Sequence, residues 1–350
     1  MFAGTGRPPS VQEVPVSAPP LDDTLVRALV ADAVTAPSQH NAQPWRFRYT
    51  RADRTLTLAA DPERALPHTD PSGRALHLGC GAALLNLRVA AAHAGLPAAP
   101  VLLPAPERPD VLASVRLGAP AGPGDADPVD PDLAGLHPAV RARHTSRLPY
   151  TDREIPPAVR AALLAAAAAE GACLSFLTGP HRETVLDLIE QAEGYNRMDE
   201  ARDAEQRRWT RADTGGPPAD DGVPEYAFGP RSPNAAAPVR DFAGRRAQPD
   251  RAYATFESRP QLATLSTADD APADWLRAGQ ALQRVLLRAT RRGLVSSFAT
   301  QPVEWPELRW LLRDPVSGTG HVQMILRLGY GPEGPASPRR PVEQVLTIVP

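Results

Sequence analysis

The 350-residue sequence contains no lysine, so all 38 of its basic residues are arginine. Any phosphate contact made by a basic side chain must therefore use a guanidinium group, which can bind phosphate through two parallel hydrogen bonds. The 40 acidic residues nearly balance the arginines, and the net charge is −2. Because this charge provides no bulk attraction to polyanions, neither nucleic acid nor a membrane surface is expected as a partner.

Cysteine is also scarce. Cys80 and Cys173 are the only two, which provides neither a disulfide framework nor the spacing of a metal site. Both lie among alanines and glycines, so we expect two small buried residues and no metal. No uninterrupted apolar run reaches the roughly 18 residues of a membrane span, and residues 1–20 lack the pattern of a signal peptide. We therefore expect a cytoplasmic protein.

The order of the predicted elements indicates an α+β fold with two halves. Residues 1–20 are predicted to form a flexible arm. The first half has helices at 21–35 and 74–94 and strands at 45–49, 56–60, 101–103 and 111–117. A Gly/Pro/Asp-rich connection covers 118–138. The second half has helices at 157–170, 181–197 and 274–292, strands at 173–177, 262–267 and 322–328, and a polar insert at 198–258 that is predicted to be a lid or a mobile loop.

Two helices share one pattern. Residues 81–95 and 279–293 each begin with glycine, continue with Ala-Leu and an apolar stripe, and end with Gly-Leu after the same number of residues. Two unrelated helices with glycine caps could look alike, but the matched spacing and flanks favour an internal duplication.

Two polar clusters predict a flavin mononucleotide site. Ser38, Asn41 and Gln43 lie in a turn between two prolines and offer amide and hydroxyl groups to a planar heterocycle. Arg143, Thr145 and Arg147 alternate, so in an extended segment all three point the same way, as phosphate ligands would. Arg339 and Arg340 are further phosphate candidates. Taken singly, each of these segments is also compatible with an ordinary turn or a solvated surface.

In order along the chain, these segments resemble the nitroreductase superfamily, and within it the Acg-type branch of fused proteins. The resemblance covers residues 20–350. Its motifs include Ala36-Pro37-Ser38-x-His40-Asn41-x-Gln43-Pro44-Trp45, Asp70-Pro71-x-Gly73-Arg74, Arg143-x-Thr145-x-Arg147, Trp209-Thr210-Arg211, Gln301-Pro302-Val303-Glu304 and Arg339-Arg340-Pro341.

The resemblance implies a nitroreductase fold in which two units, 21–135 and 140–350, form an intramolecular pseudo-dimer. The first unit lacks an Arg-x-Ser/Thr segment before its first helix. The second unit reads Ala-Ala-Ala-Glu-Gly-Ala at 167–172, where its own ring-binding turn should be. One composite site is then complete, and the residues of the pseudosymmetric second site are missing on both sides. We therefore expect one FMN per chain and a monomer that needs no second copy.

The family pattern also implies roles for individual residues. Arg143, Thr145 and Arg147, with His144 between them, would meet the phosphate, the ribityl chain or the pyrimidine edge. Pro37, Ser38, Asn41 and Gln43 would line the ring. The segment that lies against the flavin N5 edge would be Phe298, Ala299 and Thr300, and Arg339 and Arg340 would close on the phosphate. Thr300-Gln301 stands where many family members carry Glu-Gly, so this sequence departs from the family pattern at the N5 segment.

The expected function is electron or hydride transfer from NAD(P)H through FMN to a nitroaromatic, a quinone or a conjugated biosynthetic intermediate. Two alternatives are a protein that stores FMN under an occluding insert and a flavin-free interaction module. No proton-transfer residue is assigned: His40 in a turn is more often structural, and Asp70 and Asp221 are considered only as candidates.

Overall fold

The computed structural model describes residues 21–118, 129–211, 219–231, 239–244, 251–314 and 320–350, so the predicted arm at 1–20 lies outside the described residues. The first unit comprises α1 (Asp23–Ala33), β1 (Trp45–Thr50), β2 (Thr55–Ala60), α2 (Arg74–His93), β3 (Ala98–Leu102) and β4 (Val111–Leu117). The Asp22 side chain caps α1 by accepting from the Thr24 N–H at 3.1 Å. Two short helices, α3 (Pro131–Ala134) and α4 (His137–Ala142), lead to the second unit.

The second unit contains the same kinds of element with additions. It comprises α5 (Pro157–Ala168), β5 (Cys173–Phe176), α6 (Gly179–Met198), α7 (Glu200–Arg208), β6 (Thr210–Arg211), β7 (Val223–Pro224), β8 (Gln261–Thr267), α8 (Pro272–Arg291), β9 (Val295–Phe298), α9 (Pro306–Leu311), β10 (His321–Gly329), α10 (Val342–Val345) and β11 (Leu346–Val349). The α+β prediction is confirmed.

The strand order repeats between the two units. The first sheet runs β11-β1-β2-β4-β3, and the second runs β5-β8-β10-β9. Without β11, both sheets place their first, second, fourth and third strands in that order, and all of these neighbours are antiparallel. Helix α6 and the 198–258 insert therefore stand between β5 and β8, where the first unit has only the Arg51–Arg54 turn between β1 and β2. The shared strand order supports the duplication read from the sequence.

The two units meet where α2 crosses α8. At Gly81 an added Cβ would contact the Leu276 carbonyl oxygen, and at Gly279 it would contact the Leu78 carbonyl oxygen. These two contacts are reciprocal, as expected for a pseudo-twofold axis through the crossing. Helix α2 is long and apolar enough to cross a membrane by length and composition, but most of it is buried in the protein as a core helix.

We expect Gly279→Ala to lower the free energy of unfolding by about 1–3 kcal/mol, because the added methyl group forces the two helix backbones apart. Gly194→Ala is the matched control: Gly194 lies inside α6, and nothing would meet its Cβ within 4 Å. That change should be neutral or stabilising by up to about 1 kcal/mol. Urea unfolding of both variants measures the difference. Equal midpoints would contradict the close crossing.

Two details differ from the sequence prediction. The strand predicted at 101–103 is found at Ala98–Leu102, immediately after the glycine that ends α2. The prediction that both cysteines are buried was wrong for Cys173, although Cys80 is buried. Cys173 begins the edge strand β5, where side chains alternate between faces, and Leu174 takes the buried side.

Parts of the 198–258 insert pack as a folded layer. Buried apolar side chains from β7 and the following turn meet those at 242–243 in a small cluster made of Val223, Ala227, Phe228, Phe242 and Ala243. The rings of Phe228 and Phe242 stack at 6.0 Å between centroids. This layer lies over the junction of the two units, where the candidate site is found.

Candidate functional site

A cleft lies between the two units beneath the insert, and its empty space, including the part open to solvent, is about 1020 Å³. The first unit, the second unit and the insert all line it, through Pro37, Ser38, Gln39, His40, Asn41, Arg74, Ala75, Leu78, Gly79, Arg143, His144, Thr145, Arg147, Val223, Arg240, Phe242, Leu282, Phe298, Thr300, Met324, Ser337 and Arg339.

The turn that lines the cleft has a strained backbone. His40, Asn41 and Gln43 have φ values of 51°, 54° and 54°, which place three non-glycine residues in the left-handed region. Ser38 holds the turn, because its hydroxyl accepts from the Gln43 N–H at 2.9 Å. Backbone strain of this kind persists where the surroundings fix it, and it is common at ligand sites.

Three arginines around the cleft have no carboxylate partner among the described residues. These are Arg143, Arg147 and Arg339, and they line the cleft from the second unit. Burial lowers the pKa of Arg143 and of Arg147 to about 10. Burial, and then the charge of Arg143, lowers the pKa of Arg339 to about 9. Desolvated cations without counterions are costly, and an anionic ligand would compensate them.

The hydrogen bonds of Arg143 and Arg339 leave donors free. Arg143 donates from Nη2 to the Thr35 carbonyl at 3.2 Å, while its buried Nε and Nη1 have no partner. Arg339 donates to the Asn41 side chain at 3.0 Å and to the Thr35 carbonyl at 2.9 Å, and its Nε has no partner. The geometry thus brings unpaired N–H groups of two guanidinium groups to one end of the cleft, which fits a phosphate.

Arg147 lies near the opposite end of the same extended segment. Its guanidinium is 4.7 Å from the centroid of the Phe242 ring and donates to the Ala227 carbonyl at 2.9 Å. Thr145 pairs with Ser296 in a parallel bridge, which keeps the segment extended against β9. Since four residues of extended chain span about 13 Å, Arg143 and Arg147 can contact well-separated parts of one ligand.

Three residues proposed from the sequence are not brought to the cleft. Arg340 forms an ion pair with Asp61, with Nη1 3.3 Å from Oδ2, so the phosphate role predicted for it is not supported. Ala299 is buried behind the strand, between Phe298 and Thr300, which do line the cleft. The reason is common to both: neighbours in an extended chain point to opposite sides, so Arg339 and Arg340 cannot both face the ligand.

The third is Gln43, whose amide is used inside the protein. Its Nε2 donates to the Asp220 carbonyl at 2.8 Å, and its Oε1 accepts from the Arg340 N–H at 2.9 Å. Asn41 lines the cleft, but its Nδ2 likewise donates to the carbonyls of Gly222 and Pro338. These amides therefore tie the insert and the C-terminal segment to the turn, and Ser38 remains the turn's hydroxyl at the cleft.

The sequence interpretation missed several residues that line the cleft. His40 is buried, its Nε2 has no partner, and its ring meets the edge of Phe242 at 5.7 Å. Arg240 forms an ion pair with Glu304, which also accepts from Gln39 Nε2 at 3.0 Å. Arg240 and Phe242 lie in the polar insert, where no periodicity or motif distinguishes them. His40 is part of a motif, but nothing in the sequence shows that its ring faces a cavity.

The equivalent position in the second unit carries different residues. Gly79 lines the cleft, and a Cβ there would be 3.2 Å from the Cβ of Ser38. By the spacing of the repeat, Arg277 corresponds to Gly79, and a Cβ at Gly171 would be 3.8 Å from the Arg277 Cδ. Glu170 accepts from Arg88 at 2.6 Å and from Arg284 at 2.7 Å. At this position arginine side chains and ion pairs replace a glycine and a hydroxyl.

Asp70 and Asp221 have structural roles. Asp70 begins α2 by accepting from the backbone N–H groups of Ala75 and Leu76 at 3.0 and 2.9 Å, and burial raises its pKa to about 6. Asp221 pairs with Arg64 and Arg211. Neither lines the cleft. In the described part of the chain, no group of three His, Cys, Asp or Glu side chains is arranged to hold a metal ion.

Comparison with known proteins gives long matches. No family model matches the chain. Two Mycobacterium tuberculosis proteins, each named "Putative NAD(P)H nitroreductase", are similar over nearly their whole length. One, Rv3131, is 34% identical over 333 residues, covering 93% of this chain and 92% of the relative. The other, acg, is 31% identical over 335 residues, covering 93% and 96%.

Solved structures match more distantly. A nitroreductase with bound FMN from Bacteroides fragilis is 16% identical and covers 59% of this chain and 92% of its own, with a TM-score of 0.36. A BluB-like flavoprotein from Clostridium difficile is 14% identical and covers 61% and 99%, with a TM-score of 0.40.

Proposed function

The chain belongs to the NAD(P)H nitroreductase family, and from this premise we propose that it binds one FMN in the cleft and passes electrons from NAD(P)H to a small conjugated acceptor. The acceptor would be a nitroaromatic, a quinone or a biosynthetic intermediate. We further propose that the chain acts as a monomer in the cytoplasm, because its two units already supply both sides of the cleft.

The observation that carries the proposal is the pair of buried guanidinium groups, Arg143 and Arg339, with unpartnered N–H groups at one end of the cleft. They would hold the FMN phosphate, and Thr145 and His144 lie beside them. Ser38, Gly79 and the apolar Leu78, Leu282, Phe298 and Met324 would border the ring. When bound, FMN supplies the two-electron chemistry, accepting a hydride and releasing it to an acceptor.

The protein's own contribution is to bind, orient and shield. Val223, Arg240 and Phe242 of the insert cover the cleft and reduce the access of water. The replacement of Gly79 by Arg277 at the duplicated position supports a stoichiometry of one FMN per chain.

A storage role is the second candidate, because the insert is fastened over the cleft. Arg240 pairs with Glu304, the Arg202 side chain donates to the Glu304 carbonyl at 3.1 Å, and Asn41 bonds to Gly222. If these contacts do not open, FMN would be held without turnover. The same experiment decides between the two roles.

We expect the purified protein to be yellow, to contain one FMN per chain, and to be bleached anaerobically by NADH or NADPH and recoloured by a quinone. Absorbance at the flavin band measures each step. A yellow protein that dithionite bleaches but both nicotinamides leave unchanged would favour storage. A colourless protein that takes up no FMN would contradict both roles, and two FMN per chain would contradict the loss of the second site.

A further inference from the structure

A second cavity, here called the chamber, lies behind the wall of the cleft that is formed by His40 and Arg240. Both residues line the cleft and the chamber alike. The empty space of the chamber, including the part open to solvent, is about 860 Å³, and its other walls include Glu193, Arg202 and Glu304. The two cavities are therefore neighbours that share these two residues.

The chamber is lined by buried polar atoms that lack hydrogen-bond partners. They are His40 Nε2 and Arg240 Nε, together with Arg202 Nη1 and Glu304 Oε2, which face each other as an ion pair at 3.7 Å. Donors and acceptors of this kind in a cavity large enough for water are satisfied by ordered water. A hydrogen-bonded path can therefore run through the chamber as far as His40.

His40 is suited to transfer a proton across the wall. Burial, and then the charges of Arg240 and Arg147, lowers its pKa well below the ordinary value of 6.5, so the ring is neutral. A neutral imidazole has one N–H donor and one acceptor nitrogen, so it can release a proton on one side and take one up on the other. The left-handed backbone at φ 51° and the Phe242 ring hold it in place.

Glu193 supplies an acidic group on the far side of this wall. It projects from α6 into the chamber. Burial raises its pKa above the ordinary value, in spite of the charges of Arg240 and Arg197. Glu304, by contrast, is held by its contacts with Arg240 and Gln39. Glu193 is therefore the better proton source of the two.

We propose that His40 passes protons from the chamber, with Glu193 as their local source, to the acceptor bound in the cleft. This inference rests on the proposed function. A quinone, NAD(P)H and one proton give a hydroquinone and NAD(P)⁺. The electron pair and one hydrogen come from NAD(P)H through the bound FMN, and the remaining proton comes from His40. One ring nitrogen gives that proton to the acceptor oxygen while the other takes one from chamber water.

The test separates proton transfer from electron transfer. Holoprotein is reduced anaerobically with dithionite and mixed with 1,4-benzoquinone, which needs protons, or with ferricyanide, which takes electrons alone. We expect His40→Gln to slow oxidation by benzoquinone about a hundredfold, within the usual range for acid–base catalysis, and to leave ferricyanide oxidation within about twofold of wild type. Glu193→Gln should act in the same direction. Since the two groups act in series, the double variant should be no slower than the slower single variant.

Two exposed residues provide matched controls. His68→Gln makes the same change at an exposed histidine, and Glu190→Gln does so at an exposed position of α6. Both should oxidise like wild type. If His40→Gln slows oxidation by benzoquinone and oxidation by ferricyanide equally, His40 has a structural role and the proposal is overturned. Wild-type rates in Glu193→Gln, or additive effects in the double variant, would overturn it as well.

A readout independent of activity is the ¹⁵N NMR spectrum of the histidine rings in the oxidised holoprotein. We expect Glu193→Gln to shift the tautomer equilibrium of His40, and Glu190→Gln to leave it unchanged. Unchanged His40 signals in Glu193→Gln would contradict the coupling. Failure of NAD(P)H to bleach the protein would count against the proposed donor alone, because dithionite reduces the protein in this test.

Discussion

Arg143→Met is expected to weaken FMN binding about a hundredfold and, at the same time, to stabilise the FMN-free protein. The two effects have one cause. Arg143 is a buried cation with two unpartnered groups and, among the described residues, no carboxylate partner. With phosphate bound, the charge of Arg143 is compensated. Removing this charge then costs about 2–5 kcal/mol of binding free energy. A hundredfold loss of affinity corresponds to about 2.7 kcal/mol, which lies within this range. Without phosphate, the same charge is a desolvation cost that methionine removes.

Fluorescence titration of FMN and urea unfolding of the FMN-free protein measure these two quantities. Arg141→Met is the matched control, because Arg141 is two residues away and mostly exposed, and its buried partner Asp32 keeps a second contact with His137. Its effect on both quantities should stay within about 1 kcal/mol. FMN affinity unchanged in Arg143→Met would contradict the assignment of this segment to the phosphate. Lost affinity together with lost stability would show that Arg143 acts mainly in the fold.

The second large effect is expected from Glu257→Gln, which should lower the free energy of unfolding by about 3–5 kcal/mol. Arg327 is completely buried and donates to both carboxylate oxygens of Glu257, at 2.6 and 2.7 Å. Its guanidinium also lies 3.6 Å from the centroid of the Tyr150 ring. An amide at 257 would leave a buried charge without its counterion, which is among the costliest single changes in a protein.

The same pair predicts a dependence on pH. Burial would raise the pKa of Glu257, but the hydrogen bonds and charge of Arg327 lower it below the ordinary value. For a carboxyl whose folded pKa is depressed, the stabilisation is fully present above the unfolded pKa of about 4.3 and is lost as the pH falls through the folded value. Wild type should therefore lose part of its advantage over Glu257→Gln below about pH 4.

Unfolding in urea at pH 7 and at about pH 3 tests both statements. Asp152→Asn is the control, since the exposed Asp152 accepts from Ser258, and its substitution should cost less than about 1 kcal/mol. A loss of less than about 1 kcal/mol in the unfolding free energy of Glu257→Gln would contradict the stabilising role of the ion pair. The double variant Glu257→Leu, Arg327→Met should recover most of the loss, because it removes both charges.

Local rules predicted the elements that carry strong signals. The periodicity of 74–94 and 274–292 identified α2 and α8, and the shared glycine spacing identified the duplication that their crossing now supports. The extended Arg143–Arg147 segment was also predicted, because alternation is a local property of the backbone. What the sequence could not predict was which of two adjacent arginines points towards the cleft. Arg339 and Arg340 are chemically identical, and only the path of the segment turns one to the cleft and the other to Asp61.

The insert is the part that local rules missed most. Arg240 and Phe242 lie in a stretch of low hydrophobicity, and their place at the cleft depends on contacts with Glu304 and Phe228, each more than ten residues away in sequence. Asn41 and Gln43 are the opposite case, in which the sequence predicted contacts with a ligand. Their residue types suited a ring, but the fold uses their amides to bind Gly222 and Asp220. Long-range partners decided these roles.

The last strand has a consequence for how the protein is made. β11 pairs in parallel with β1, so Phe47 lies opposite Leu346, about 300 residues later in the chain. During synthesis, one edge of the first sheet stays unpaired until residues 346–349 have left the ribosome, and the segment just before them delivers Arg339 to the cleft. An open edge of this kind can pair with other nascent chains, and so distant a contact slows folding. Acquisition of the cofactor is thus expected to follow the synthesis of residues 339–349.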